Sequence, residues 1–353
     1  MDKKIDIIIP AYNAQESIER TIASIAIQSM KDEVIVTIVN DCDGKDYSKV
    51  INRYSDLLDI REIRLEENGG PGIARQYGID NTNCPYFTCI DADDTFAGAF
   101  AIEVLYKNLI QDPNAACCIG SFMEEHEELQ FVPHVQDLIW MFGKLYRRSF
   151  IKKYDIRFNE TRANEDNGFN TIVRLCSDEI EKIIFIQDVV YYWHFKEDSI
   201  TRINNCEYSY NQSFVGYTDN MIYAVREAKK KKPFNGYINL WATQVMINLY
   251  VYYLQTVERD PRFIDQNFNS CVKFYKEIFK NIYQELESNI FKEVYSTVMR
   301  DSAAGMMGVA PEVTIYQFFD ILDEKINERN TNNDGVQNKE QILEESVVKG
   351  NAE

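Results

Sequence analysis

The sequence predicts an α/β protein: a doubly wound, mostly parallel sheet of Rossmann type, followed by an α-helical C-terminal region. Three observations lead to this fold class. Short apolar runs alternate with helix-length amphipathic segments as far as Ile90, which is typical of parallel strands joined by crossover helices. A polar or glycine-rich loop follows each apolar run. From about residue 204 onward the pattern becomes helical.

Four apolar runs give the predicted strands, and the loops that follow them are expected to converge. Parallel strands of a doubly wound sheet bind their ligands at the carboxyl ends, so these loops should line one crevice. After the first strand, Asn13 and Glu16 are spaced like a helix N-cap and its capping-box partner. The strands are predicted at Lys4 to Ile9, Val34 to Val39, Ile60 to Leu65 and Tyr86 to Ile90, and the loops carry Tyr12 and Asn13, Asp41, Gly69 and Gly70, and Asp91 to Asp93.

The fourth strand ends abruptly in Asp91-Ala92-Asp93-Asp94. Side chains alternate along an extended chain, so Asp91 and Asp93 should lie on one side, about 6 to 7 Å apart. Two such carboxylates could hold one divalent cation, which would relieve their mutual repulsion. An acidic turn that caps the next helix explains the same residues equally well.

The amino-acid composition restricts the possible partners and the cellular compartment of the protein. The 353 residues have a formal net charge of −18, which opposes binding of nucleic acid over a broad face. The eight cysteines form no C-x-x-C pair, which favours reduced thiols and a cytoplasmic protein, either free or peripheral to the membrane. We expect no signal peptide, because an apolar strand begins almost at once, and no transmembrane segment, because amides interrupt the longest apolar stretch.

We predict three regions: a catalytic domain at residues 1–203, a helical domain at 204–329 and a polar, flexible tail at 330–353. Aromatic side chains of the helical region could pack on the catalytic domain, form a homo-oligomer or bind a glycan. The basic run Lys229 to Lys232 is best explained as the last turn of a helix. Taken alone, His126 is best explained as a loop residue and His194 as a buried core histidine.

Several motifs in order resemble one enzyme family. They are Ile7 to Asn13, Val39-Asn40-Asp41, Asn68 to Ile79, Asp91 to Asp94, Gly143 to Arg148, Glu165-Asp166, and Trp193-His194 with Ser199 to Thr201. In this order they resemble the inverting family-2 glycosyltransferases of GT-A fold over roughly residues 4 to 201. The chain departs from the family pattern at Asn40, where an acid is usual, at Gln76, where Asn is usual, and at Asp43 to Asp46, where the turn is longer than usual.

The resemblance implies a nucleotide-diphosphate sugar donor, in first place a UDP-sugar, and a glycan, cell-wall or surface-polymer acceptor. It implies that Asp166 is the catalytic base, that Glu165 orients the acceptor or supporting residues, and that Asp93, Asp91 and His194 bind Mn²⁺ or Mg²⁺. The implied nucleotide-sugar site consists of Pro10, Ala11, Tyr12, Asn13, Glu16, Asp41, Asn68, Gly70, Arg75, Asp91, Ala92 and Asp93.

Two other functions remain open on the sequence. A nucleotidyltransferase would also use an α/β sheet and acidic metal ligands, but it would favour a basic glycine-rich loop near the N-terminus. A catalytically silent module that binds nucleotide sugars or glycans would have no need to keep Asp91, Asp93, Asp166 and His194.

Overall fold

The computed structural model describes residues 2–126, 129–196, 207–233 and 320–328, together with positions 272, 273, 296 and 317. The chain divides into two compact units, Met1–Ile238 and Asn239–Glu353. The predicted helices between residues 237 and 299 and the tail at 330–353 fall almost entirely outside the described residues, as do Ser199 to Thr201. The predicted boundary after residue 203 stays a prediction.

The first unit alternates strands and helices as the sequence predicts. The strands are β1 (Ile5–Ala11), β2 (Val34–Asn40), β3 (Ile60–Arg64), β4 (Tyr86–Cys89), β5 (Thr95–Phe96), β6 (Cys117–His126), β7 (Gln130–His134), β8 (Lys144–Arg147) and β9 (Ile183–Trp193). The helices are α1 (Ile18–Ala26), α2 (Ser48–Tyr54), α3 (Pro71–Asp80), α4 (Ala101–Gln111), α5 (Arg148–Lys153), α6 (Glu165–Cys176) and α7 (Glu207–Lys231), with a 3₁₀ turn at Lys31–Glu33.

One mixed sheet carries the site. Its strand order is β3-β2-β1-β4-β8-β6-β9-β5, and β7 pairs with β6 as a hairpin. The first four strands are parallel, as predicted, while β8 is antiparallel to both β4 and β6. The carboxyl ends of β1, β2 and β4 therefore lie at one edge of the sheet. At the end of the strand order, β9 pairs in antiparallel orientation with the short strand β5.

Apolar side chains cover both faces of the sheet. One core lies around Ile7, Ile9 and α1, and the other lies around Ile8, Phe87 and α6. Helix α3 approaches the sheet closely at Gly78, where an added Cβ would lie 2.4 Å from Cγ2 of Ile8. At the other end of α3, Gly70 donates its N–H to Asp41, so the N-terminus of the helix lies at the predicted crevice.

Helix boundaries differ from the prediction in one instructive place. The prediction that Asn13 caps the first helix is wrong: α1 begins at Ile18 with Ser17 in the cap position, and Asn13 takes a left-handed φ of 52°. Its backbone N–H instead donates to the Asp43 carboxylate at 2.8 Å, and this bond holds the loop near the end of β2. The predicted helix from Tyr208 to Lys232 is confirmed as α7.

Candidate active site

Asp41 anchors the glycine-rich loop. Its buried carboxylate accepts backbone N–H bonds from Gly69 and Gly70, both at 2.8 Å. The side-chain amide of Asn68 donates to Oδ2 of the same carboxylate at 3.0 Å. Gly70 can make this turn because its φ of 88° costs glycine little. The structure thus brings the predicted residues Asp41, Asn68 and Gly70 together, with Asp41 holding the loop.

Asn40 has a local reason to replace the usual acid. It is buried, and its amide donates to Oε1 of Glu62 at 2.9 Å while its carbonyl oxygen accepts the backbone N–H of Asp43 at 3.2 Å. A carboxylate at this position would face that of Glu62 without a proton between them.

Asp43, in the insertion after β2, fixes the first loop. Besides the N–H of Asn13, its carboxylate accepts the hydroxyl of Tyr47 at 2.7 Å. Tyr47 in turn accepts the backbone N–H of Ala14. Above this support Tyr12 is 55% exposed, so its ring is available to a flat ligand. Of the other predicted residues of this loop, Ala11 is buried, Pro10 is partly buried, and Glu16 is exposed.

Arg75 connects the two halves of the predicted site. Its buried guanidinium donates to Oδ1 of Asp91 at 2.7 Å and to Oε1 of Glu165 at 2.8 Å. Both carboxylates raise the pKa of Arg75, which keeps it charged despite burial. Glu165 itself approaches α3 closely, since a Cβ on Gly72 would lie 2.7 Å from its Cγ.

Asp166 stands beside this ion-pair network in the first turn of α6. It remains partly open to solvent, and its Oδ1 accepts the backbone N–H of Asn167 at 2.7 Å. Burial, together with the neighbouring charge of Glu165, raises the pKa of Asp166 to about 7, while Arg75 opposes the rise. A carboxylate with such a pKa can act as a general base near neutral pH.

The acidic motif divides into a solvent-facing pair and a buried member. Asp93 accepts from Nζ of Lys196 at 3.1 Å, and Asp91 is held by Arg75. Asp94 is buried and accepts the hydroxyl of Tyr191 at 2.6 Å and the backbone N–H of His194 at 2.9 Å. Burial and the charges of Asp91 and Asp93 raise the pKa of Asp94. Asp94 therefore attaches the motif to β9, and Ala92 is buried beneath it.

His194 lies between β5 and β6. Its Nδ1 is 2.9 Å from Oε2 of Glu125 and its Nε2 is 2.8 Å from Oγ1 of Thr95. Because an ionised carboxylate can only accept, the proton belongs on Nδ1 and the lone pair on Nε2. His194 is thus oriented by a carboxylate in the way that many metal-binding histidines are.

The donor types around the motif fit a divalent metal. Asp91, Asp93 and the Nε2 lone pair of His194 offer carboxylate and imidazole, a mixture that Mn²⁺ accepts well. In the part of the chain that the structure describes, no three His, Cys, Asp or Glu side chains form a metal-binding group. The Nε2 lone pair of His194 faces the hydroxyl of Thr95 at 2.8 Å, which a bound metal would have to displace.

The motif from Gly143 to Arg148 serves the core. Arg148 is buried and donates to Oδ2 of Asp6 at 2.7 Å, so it ties α5 to β1. Lys144 is buried as well, lies 3.6 Å from Asp137 and donates to the backbone carbonyl of Trp140. Burial lowers its pKa. Gln76, the other departure from the family pattern, donates to Asp80 and accepts the N–H of Phe158.

Sequence reasoning missed three supporting residues: Glu125, Asp43 and Arg162. Arg162 precedes α6 and donates to the side-chain and backbone oxygens of Asn68, at 2.9 and 3.1 Å. For Asp43 a signal existed, because it lies in the loop that is longer than the family pattern. For Glu125 and Arg162 the partners are far away in sequence, and only the fold reveals them.

Comparisons with known proteins point to one family. Residues 6–164 match the sequence model of Glycosyl transferase family 2. Glycosyltransferase GlyA of Streptococcus pneumoniae is 27% identical over 230 residues, 58% of this chain and 32% of GlyA. Poly(ribitol-phosphate) beta-N-acetylglucosaminyltransferase TarS of Staphylococcus aureus is 26% identical over 211 residues, 55% of this chain and 36% of TarS. The chain thus spans about a third of the length of these relatives.

A solved structure supports the fold. S. aureus TarS residues 1–349, in complex with UDP-GlcNAc, aligns with a TM-score of 0.62 at 17% identity, covering 86% of this chain and 92% of that one. The predicted resemblance to family 2 and the predicted GT-A type fold are confirmed. Within the described ranges, no helix combines the length and the apolar character that a membrane span requires.

Proposed function

We propose that this chain, whose residues 6–164 match the Glycosyl transferase family 2 model, is a metal-dependent inverting glycosyltransferase. It would move a hexosyl or N-acetylhexosaminyl group from a nucleotide-diphosphate sugar, in first place a UDP-sugar, to a hydroxyl of a glycan or cell-wall polymer. The observation that carries the proposal is the position of Asp166 next to Glu165, which Arg75 joins to Asp91 of the acidic motif.

The donor half is the crevice at the carboxyl ends of β1, β2 and β4. The exposed ring of Tyr12 can stack on a base, and the loop that Asp41 holds closes one side. Because both terminal nitrogens of Arg75 are engaged by carboxylates, its main role in this structure is to fix Asp91 rather than to bind a phosphate.

The acceptor half is centred on Asp166. Its unprotonated carboxylate would take the proton of the attacking hydroxyl while the nucleotide diphosphate leaves from the opposite face of the sugar. Such a single displacement inverts the anomeric configuration. The pKa of about 7 for Asp166 supports this role, because the base form is then well populated at neutral pH.

Asp91, Asp93 and His194 would hold the metal. A bound Mn²⁺ or Mg²⁺ supplies positive charge beside the leaving diphosphate. Lys196, which pairs with Asp93, places a further cation at the same place. If Lys196 alone neutralised the leaving group, EDTA would leave the rate unchanged; the metal proposal requires loss of activity in EDTA and recovery with Mn²⁺.

The relatives support the kind of donor and acceptor. TarS is named for transfer of N-acetylglucosamine to poly(ribitol-phosphate), and its structure was solved with UDP-GlcNAc. Another relative, 25% identical over 260 residues and from Bacillus spizizenii, is named a poly(ribitol-phosphate) beta-glucosyltransferase. We therefore propose a cell-wall or surface polymer that presents hydroxyl groups as the acceptor.

A donor screen tests the proposed function. The full chain is incubated with UDP-glucose, UDP-galactose, UDP-GlcNAc and UDP-GalNAc, with and without poly(ribitol phosphate), and UDP release is measured. We expect one UDP-sugar to be turned over, with the release stimulated by a polymer acceptor and absent in Asp166→Asn. Failure of all four UDP-sugars to react would overturn the proposal, and binding of a UDP-sugar or of the polymer without turnover would favour the silent binding module.

A further inference from the structure

Helix α7 packs against α6, the helix that carries Asp166, and both helices lie beyond the residues 6–164 that match the family model. The two helices approach very closely at two glycines. A Cβ on Gly168 of α6 would lie 2.7 Å from Oδ1 of Asn220, and a Cβ on Gly216 of α7 would lie 2.6 Å from the carbonyl oxygen of Ala163. The contact therefore lies at the N-terminal end of α6.

Asn220 is the polar residue at the centre of this contact. It is fully buried, and the two N–H groups of its Nδ2 are shared among three oxygens: Oγ1 of Thr161 at 2.7 Å, the carbonyl of Gly216 at 2.8 Å and the carbonyl of Ala163 at 3.0 Å. Two of these acceptors belong to the segment that leads into α6. A buried amide with such partners is costly to remove, because the carbonyl oxygen of Ala163 would lose its donor at 3.0 Å and keep the weaker one from the hydroxyl of Thr161 at 3.3 Å.

The segment from 161 to 164 needs external support. Asn164, the residue before Glu165, has a left-handed φ of 59°, which a residue with a Cβ adopts only at some cost. Asn220 binds the carbonyl directly before this residue. On the other side, Arg162 of the same segment donates to Asn68 of the glycine-rich loop. The segment is thus held between α7 and the nucleotide crevice.

We propose that Asn220 is a positioning residue for Asp166: by fixing residues 161–164 it sets the direction in which α6 presents its first turn to the acceptor. This role rests on the proposed function of Asp166 as base. The acceptor side of the site then depends on α6 and α7 together, both of which follow the matched residues 6–164.

The test compares Asn220→Leu, which keeps side-chain size but removes the donor, with Ile222→Val as a control. Ile222 is also buried on α7, but it lies two residues, or about 200°, further around the helix. Hydrogen exchange is measured at residues 161–168, and kcat and KM for the donor are measured in the same preparations. Thr161→Val removes the hydroxyl that accepts from Asn220. This variant is used in place of Asn220→Leu if Asn220→Leu does not fold.

We expect at least tenfold faster exchange at 161–168 in the Asn220 and Thr161 variants, and a kcat lower by at least tenfold with the donor KM within twofold. Ile222→Val should change neither the exchange rate at 161–168 nor kcat, even if it lowers the melting temperature as much as Asn220→Leu does. Unchanged exchange at 161–168, or an equal loss of kcat in Ile222→Val, would overturn the positioning role. A wild-type chain that turns over no donor would refute the proposed function instead, and the exchange data would then show only whether Asn220 fixes residues 161–168.

Discussion

The guanidinium of Arg75 lies 2.8 Å from the carboxylate of Glu165, although 90 positions separate the two residues in the chain. Through its other terminal nitrogen the same guanidinium holds Asp91. One buried cation therefore sets the distance between the acidic motif and the first turn of α6. Four predictions follow from this network and from the contacts around it.

Substitutions of Arg75 and Glu165 should move the pH dependence in opposite directions. Arg75 lowers the pKa of Asp166 and Glu165 raises it. Activity needs the unprotonated base, so the rate of transfer should rise as pH increases through the pKa of Asp166. Arg75→Gln should shift this rise to higher pH, and Glu165→Gln should shift it to lower pH, each visible in a kcat profile from pH 5 to 9. Shifts of the same sign would contradict the assignment of the base.

Asp166→Asn should remove the base and leave the fold intact. Loss of a general base costs about 10² to 10⁴-fold in rate. We expect kcat to fall by at least about 10²-fold. The dissociation constant for UDP, measured by calorimetry, should change less than twofold. Asn167→Ser, at the next residue of the same turn, is the matched control and should keep most of the activity. Substantial turnover by Asp166→Asn would assign the base elsewhere.

Glu125→Gln should weaken metal binding without touching a proposed ligand. A glutamine can donate as well as accept, so the proton on His194 is no longer confined to Nδ1. Loss of such a supporting carboxylate typically costs about 10 to 100-fold in metal affinity. Titration of Mn²⁺ by electron paramagnetic resonance measures this directly. Glu124→Gln, one residue earlier and paired with His134, is the control and should bind Mn²⁺ like the wild type.

Asn40→Asp should destabilise the chain although it restores the residue that is usual in the family. The new carboxylate would be buried against Glu62, and the lost amide hydrogen bond alone costs about 1 to 3 kcal/mol of unfolding free energy. Adding Glu62→Gln supplies a donor again and should recover most of that loss. Urea denaturation of the two variants and of Glu62→Gln alone provides the cycle; additive effects of the two substitutions would rule out this explanation of Asn40.

The sequence was sufficient for the strands and the loops at their ends, because both depend on local patterns of apolar and turn residues. The crevice at Asp41, Gly70 and Asp91 follows from that order. The partners of Arg75 were not predictable: the family resemblance implies a contact of Arg75 with the nucleotide sugar, whereas the fold brings Glu165 to it. Asn13 shows that a local pattern can also mislead. Its spacing to Glu16 predicts a helix cap, but the carboxylate of Asp43, 30 positions away, binds its backbone N–H instead.

The attachment of Asp94 to β9 also bears on when the site can form during synthesis. Its two partners, Tyr191 and His194, follow it by 97 and 100 positions, so a growing chain has made the acidic motif long before it can satisfy that carboxylate. Contacts of such long range form late and slow folding. The acidic motif therefore reaches the arrangement described here only after β9 has been synthesised. A truncation before residue 191 would leave the carboxylate of Asp94 without Tyr191 and His194, the two partners that attach the motif to β9.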